Sequence, residues 1–242
     1  MTLPTRTTAL ATLLLAPLLL LGVRARAAEP APAKKDKPAV AVIYFDYDGK
    51  NEELAVLKKG LAQMLISDLS HLDNVAMIER LRLQEVIDEL ELGKSKKIDP
   101  ATAAKVGKLL GARYMVLGGY FELMNTLRVD ARVVEVETGK VIRSVGASGK
   151  SDDFLTIELK VAEDLEKVLT SEAFGASAAP EVAPPPVKRP KALKAKTAVK
   201  YSKALDAMDR GDKETAKKEL KDVVAEAPDF TLATADLDGL LQ

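Results

Sequence analysis

The stretch from Gly111 to Ile142 leaves this chain few ways to fold. It divides into three consecutive strands. Tyr114 to Leu123 is nearly continuous in apolar character, which predicts a strand covered on both faces. The next strand alternates: Leu127, Val129, Ala131 and Val133 fall on one face, and Arg128, Asp130 and Arg132 on the other. Short polar turns at Met124-Asn125 and at Glu137 to Lys140 permit only hairpin connections, because a parallel crossover needs a dozen or more residues. The core is therefore an antiparallel meander, and the helical segments around it must pack on its faces.

The 242 residues suffice for one ordinary domain with an appendage. Apolar residues make up 47% of the chain, enough for a substantial core. The 36 basic and 36 acidic residues balance, which argues against a nucleic-acid partner, whose phosphates demand a basic excess on one face. There is no cysteine, so disulfides, thiolate metal sites, a cysteine nucleophile and lipid attachment through an N-terminal cysteine are all excluded.

Residues 1–27 have the form of a secretory signal peptide: Arg6, an apolar run from Ala9 to Val23, and Ala25-Arg26-Ala27 before a cut ahead of Ala28. The apolar run is short for a membrane span, so no span is expected after cleavage. Residues 28–37 are an Ala/Pro/Lys-rich leader. Pro38 to Asp46 is a buried-strand signal ending at a polar turn, Asp46 to Asn51. Leu54 to Leu72 follows at helical spacing, with Glu52 and Glu53 where a helix dipole favours acid. Asn74 to Ile78 predicts an edge strand. Leu83, Val86, Ile87 and Leu90 mark a second helix, with Gly93 as its C′ residue, and Asp99-Pro100 opens a third that Gly111 closes. Ser151 with Asp152 and Asp153 caps a last helix carrying Phe154, Ile157, Val161, Leu165 and Val168.

Residues 173–196 shift sharply to Ala, Pro and Lys and predict an extended linker. Residues 197–242 predict a helical tail. Ala204, Leu205 and Ala207 lie on its first helix, Arg210-Gly211-Asp212 forms the turn, and Ala216, Leu220 and Val223 lie on the second, before Pro228. The spacing resembles one tetratricopeptide repeat, and such units stack because one alone cannot bury its apolar face. Leu205, Leu220, Val223 and Leu237 are accordingly expected to offer surface to a second protein or another copy, not to the chain's own α/β domain.

Several motifs invite a chemical reading. A strand followed by Asp46-Tyr47-Asp48-Gly49 resembles the first motif of haloacid-dehalogenase-type phosphotransferases, with Asp46 as nucleophile and Asp48 as acid/base. Lys50 and Asn51 depart from that motif, the later strands are hairpins rather than parallel, and Asp and Gly after a strand are what any turn selects. The same residues fail the spacing of a calcium loop. Gly93-Lys94-Ser95 lacks the leading glycine of a phosphate-binding loop, since position 88 is Asp. His71 is the only histidine, and with no cysteine beside it a zinc site is not expected. No catalytic, cofactor or metal residue is assigned.

The order of pieces resembles the CsgG/HfaB family over residues 38–172. The residues that carry the likeness are Val40 to Phe45, Gly60-Leu61 with Leu65 to Leu69, and Ile78 to Arg80 with Leu83. Ala103 to Gly119 and Arg128 to Gly139 complete it. Penicillin-binding-protein activators and the N-terminal domain of TolB share a similar fold. The resemblance implies a mixed α/β sheet and a place in the cell envelope. Channel members of the family are lipoproteins with membrane-spanning hairpins. Here the lipidation cysteine is missing, and no pair of strands of membrane length is inserted. The expectation is an α/β (α+β) domain with a mixed sheet and C-terminal meander, a linker and a helical tail. Its role would be that of a non-catalytic periplasmic adaptor or assembly factor binding envelope proteins, with no cofactor and no nucleic-acid partner, and able to form a homo-oligomer. The alternatives are a soluble subunit of a ring-forming outer-membrane secretion complex and, third, an enzyme using Asp46 and Asp48.

Overall fold

The computed structural model describes residues 37–92, 100–171, 174 and 190–242. The expected signal peptide, Gly93-Lys94-Ser95, Asp99 and nearly all of the linker lie outside the described residues. The elements run β1 (Ala39–Val42), β2 (Asp46–Tyr47), α1 (Glu52–Ala55), α2 (Lys58–Leu69), β3 (Ala76–Met77), α3 (Arg80–Glu89) and α4 (Pro100–Leu109). There follow β4 (Tyr114–Leu123), β5 (Thr126–Glu135), β6 (Val141–Lys150), α5 (Phe154–Leu169), α6 (Ala195–Asp209), α7 (Lys213–Glu226) and α8 (Thr231–Leu241).

The sheet is mixed, in the order β3-β1-β4-β5-β6, with β2 also on β4. β1 runs parallel to β3 and β4, while β4, β5 and β6 form the antiparallel meander. On β5 the expected alternation holds: Leu127, Val129, Ala131 and Val133 are buried, and Arg128 and Arg132 are exposed. The buried face meets α5, where Gly149 of β6 leaves room for Ile157. On the other face α4 meets β4 near Met115, close enough that a Cβ on Gly107 would collide with Met115 and Val136.

Full coverage of β4 was expected, and only its first part has it. Tyr114, Met115 and Val116 are buried, whereas Phe121 and Leu123 are exposed, because the far end of the strand runs on beyond α4 into the hairpin. Asp46 also departs from expectation. It is not a turn residue but pairs in β2 with Gly119, and the turn begins at Asp48, whose N–H donates to Tyr120 O at 2.9 Å. Helix α3 stops at Glu89, and Glu91 takes the left-handed conformation at φ 53° where glycine is preferred. Gly111 does close α4, at φ 67°: its N–H donates to Lys108 O while that of Ala112 donates to Gly107 O, which satisfies two orphan carbonyls. Ser151 does not cap the next helix; its hydroxyl donates to Glu122 Oε1 instead.

The tail overturns the expectation made for it. The described residues from Lys37 to Gln242 belong to one compact unit, and α6 lies on α2. Leu205, Leu220 and Val223 are buried and Leu237 packs against the core, so the surface expected to await a partner is covered within the chain. Packing begins early, at Leu193, whose carbonyl accepts from Leu155 N–H at 3.1 Å. The two helices can meet because both are small at the crossing: a Cβ on Gly60 would lie 2.2 Å from Ser202 Oγ. Ser202 then does more than fill space. Gly60 sits in the first turn of α2, where backbone N–H groups have no partner within the helix, and the cap residue Leu57 has no side-chain acceptor. Ser202 Oγ accepts from Gly60 N at 2.8 Å and donates to Leu57 O at 3.2 Å. The tail thus caps a helix of the α/β domain.

Gly60→Ala should force α2 and α6 apart and cost about 1–3 kcal/mol, the range for overpacking a tight interface. Urea unfolding of the full chain measures it; an unchanged midpoint would mean that the crossing is looser than described.

Candidate functional site

Two clusters of charged residues could carry chemistry, and they differ in kind. At the acidic turn, Asp46 is held by the sheet and Asp48 by its backbone bond to Tyr120, as given above. Asn51 then caps α1, its Oδ1 accepting from Glu53 N at 3.1 Å, and its own N–H donates to Tyr47 Oη at 3.1 Å. Tyr120 lies beneath, its hydroxyl donating to Leu54 O at 2.6 Å; burial pushes that phenol far above its ordinary range. Lys58 is the nearby cation: burial, then Lys59, lower its pKa, and Asp46 opposes them. Among the described residues no group of three or more His, Asp or Glu could hold a metal ion. His71, singled out as the sole histidine, takes a helix-end position, with Nδ1 2.7 Å from Asp68 O and Nε2 3.5 Å from Glu166.

The second cluster lies where the tail meets the α/β domain, and no motif announced it. Asp209, the last residue of α6, receives Lys59 Nζ at 2.7 Å and Arg80 Nη1 at 2.9 Å on one oxygen. Both Asp209 and Arg80 are almost wholly buried, with side chains 4% and 3% exposed. Lys59 also reaches Asp206 at 2.8 Å, which pairs in turn with Arg210. Arg80 donates to Tyr44 Oη at 3.3 Å, Tyr44 donates to Gln84 Oε1 at 2.6 Å, and Gln84 donates to Asp88 at 2.7 Å. The Lys59 ammonium also stands 5.8 Å from the centre of the Tyr44 ring.

Electrostatics follow from this enclosure. Burial pushes the Tyr44 phenol up to about 12, against the pull of Arg80. Burial disfavours the Arg80 cation, but its bond to Asp209 and the nearby Tyr44 outweigh that and raise its pKa. A carboxylate at a helix C-terminus is unfavourably placed against the dipole, and here two buried cations compensate it. The Asp206/Asp209 pair in that last turn was the one local hint in the sequence. The cluster pairs each cation with a carboxylate, and burial favours the protonated phenol. It can position the tail; it is a clamp. A smaller polar contact supports it, the Tyr201 hydroxyl donating to Asp236 Oδ2 at 2.8 Å. Burial raises the Asp236 pKa, while the Tyr201 bond and Arg80 draw it back.

Asp209→Ala should cost about 3–5 kcal/mol, because it strands buried cations. Asp206→Ala leaves Asp209 in place and should cost about 1 kcal/mol or less; urea unfolding separates the two. For Asp236 the sign is opposite to that of a salt-bridged acid. A carboxyl with a raised folded pKa contributes stability that is complete below its unfolded value of 3.8 and is lost as pH rises through the folded value. Asp236→Asn should therefore be at least as stable as the parent at pH 7 and show a shallower fall in melting temperature as pH rises above about 4.

Part of the chain is similar to known proteins. Residues 24–125 match the model of the curli production assembly/transport component CsgG. A Rhizobium meliloti (strain 1021) protein named "Putative adenylate cyclase 3" is 30% identical over 113 residues, which are 47% of this chain and 18% of that one. The chain thus spans less than a fifth of that relative's length. Among solved structures, the LpoB C-terminal domain from Salmonella enterica aligns at 15% identity with a TM-score of 0.40, over 47% of this chain and 83% of its own. Lipoprotein GNA1162 from Neisseria meningitidis aligns at 16% with a TM-score of 0.41, over 55% and 97%. A PelC dodecamer from Paraburkholderia phytofirmans aligns at 14% with a TM-score of 0.36, over 55% and 89%. The family match ends at Asn125, so β5, β6, α5 and the docked tail lie beyond it. The similarity to the CsgG family model thus covers residues 24–125, up to the turn between β4 and β5.

Proposed function

We propose that this chain is a non-catalytic envelope protein that works in the periplasm as an adaptor or assembly factor, through protein–protein contacts. The match of residues 24–125 to a curli assembly and transport component carries the reading. The signal-peptide pattern of residues 1–27 supports export, with Ala28 as the first mature residue. Among the described residues no helix is long and apolar enough to cross a membrane. The acidic turn supports the non-catalytic part: Asp46 sits within a strand pair and Asp48 is tied to Tyr120 through its backbone, which is the geometry of a chain reversal. The buried clamp has a positional role, since its cations are occupied by carboxylates of the same chain.

Osmotic-shock fractionation followed by N-terminal sequencing tests the reading. The expected result is a chain starting at or near Ala28 in the periplasmic fraction. An intact Met1, or a protein confined to the cytosol, would overturn it.

A further inference from the structure

Among the described residues, β6 has a neighbour on one side only, although it is as long as the strand it pairs with. The hairpins fix which of its backbone groups face outward. Met124 and Asn125, both at positive φ, make the two-residue turn that leaves Leu123 and Thr126 as a hydrogen-bonded pair. Bonding alternates along a strand, so Thr126, Arg128, Asp130 and Arg132 bond to β4, while Leu127, Val129, Ala131 and Val133 bond to β6. Their partners there are Gly149, Ala147, Val145 and Arg143. The bond from Ser151 N–H to Asn125 O at 3.2 Å continues the same row. The amides and carbonyls of Ser144, Gly146, Ser148 and Lys150 therefore point away from β5, and all four residues are exposed.

Native sheets blunt such an edge with proline, charge, a bulge or a covering element. On β6 the register shift at Val133/Val134 and Arg143 mark one end and Lys150 the other, and Ser144 to Gly149 carries none of these devices. Charge beside the edge narrows what could pair with it. α2 packs on α5 from the β1 side, so the opposite flank of α5 overhangs the β6 edge. Along that flank run Lys160, Asp164 and Lys167, both lysines bonded to the one aspartate, at 3.1 and 2.9 Å. With Arg143, Lys150 and, at the start of α5, Asp153, the cations outnumber the carboxylates there. A second copy fits this edge poorly. Gly149 lies against Ile157, so a two-fold axis at Gly146, which would pair residues 142–150 of both copies, falls about 10 Å along β6 and near residues 163–164 of α5. It sets Lys160 opposite the copy's Lys167 and Asp164 opposite its own equivalent. Head-to-tail pairing fares no better, because the opposite edge, β3, is only Ala76–Met77.

We propose that the outer edge of β6 receives an extended, acidic segment of a partner protein as a further strand of the sheet. This rests on the reading of the chain as a protein-contact factor and adds the surface that makes the contact and the form of what it takes. Main-chain bonds to Ser144, Gly146 and Ser148 supply the affinity, as in other cases of strand addition. The side chains at these three positions are small, which leaves room for large side chains of the guest on that face of the sheet. Carboxylates of the guest meet Arg143, Lys160 and Lys167, which set its orientation and speed its arrival.

The test begins with amide hydrogen exchange in the purified chain, where Ser144, Gly146 and Ser148 should exchange faster than Val145 and Ala147. Slow exchange at the first three would mean that the edge is already covered and would overturn the proposal. A photo-activatable residue at Ser144 of the full-length chain in growing cells should then give a protein adduct that the same residue at the exposed Lys218 of α7 does not. Ser148→Pro, with the probe retained, removes one outward donor and no bond to β5, so it should cut the yield about tenfold while unfolding close to the parent. Arg143→Glu with Lys167→Glu should also lower the yield, and this pair of exposed positions tests the charge even if the proline variant fails to fold. An adduct indifferent to both sets of substitutions, an adduct with lipid or with a second copy of the chain, or the same adduct from position 218 would overturn the proposal. If the chain is processed at Ala28 yet position 144 yields nothing, the edge fails as a docking strand while the envelope reading stands.

Discussion

The close crossing of α2 and α6 is the contact on which the rest of the molecule depends. It exists because Gly60 has no side chain and Ser202 supplies both a donor and an acceptor to the backbone opened at the start of α2. Once the helices meet there, Lys59 and Arg80 are enclosed, and Asp209 becomes obligatory because buried cations without a counterion are costly. Such an ionic cluster adds little net stability over well-packed apolar groups. Its effect is to reject other dockings: any shift of α6 along α2 separates Asp209 from both cations together.

This crossing also changes what the tail is for. A helical pair at the end of a basic, proline-rich stretch has the outward form of a free recognition module. Docked in cis, its apolar positions belong to the same core as α2 and α5, and α8 closes its remaining side. The sheet is covered unevenly, by α5 along the meander on one face and by α4 only near Met115 on the other. The hairpin end therefore stands clear for a structural reason, the length of β4 and β5 relative to the helices over them.

Much of the fold was legible in order and type. The alternation of Leu127 to Val133 specified a strand with one buried face, and Gly111 and Gly211 marked helix ends that the structure closes with left-handed glycines. These are local signals: a period of two, or a backbone angle that only glycine adopts easily. Where a signal was ambiguous between local outcomes it misled. Asp46 reads equally as strand end or turn, and its pairing with Gly119 is a fact about β4, some seventy residues away in the chain.

The sequence by itself determined the meander, the helix periodicity, the lack of cysteine chemistry and the family motifs, because each is written within a few neighbouring residues. Only the tertiary structure decided that Asp209 faces Lys59 and Arg80, that Ser202 caps α2, and that Phe121 and Leu123 lie beyond the reach of α4. Those facts depend on which apolar face meets which. Burial rewards any two such faces in proportion to area and does not encode their identity in either strand of sequence. Selection among dockings came from one missing side chain and one buried carboxylate, features that carry no pattern until the partners stand opposite each other.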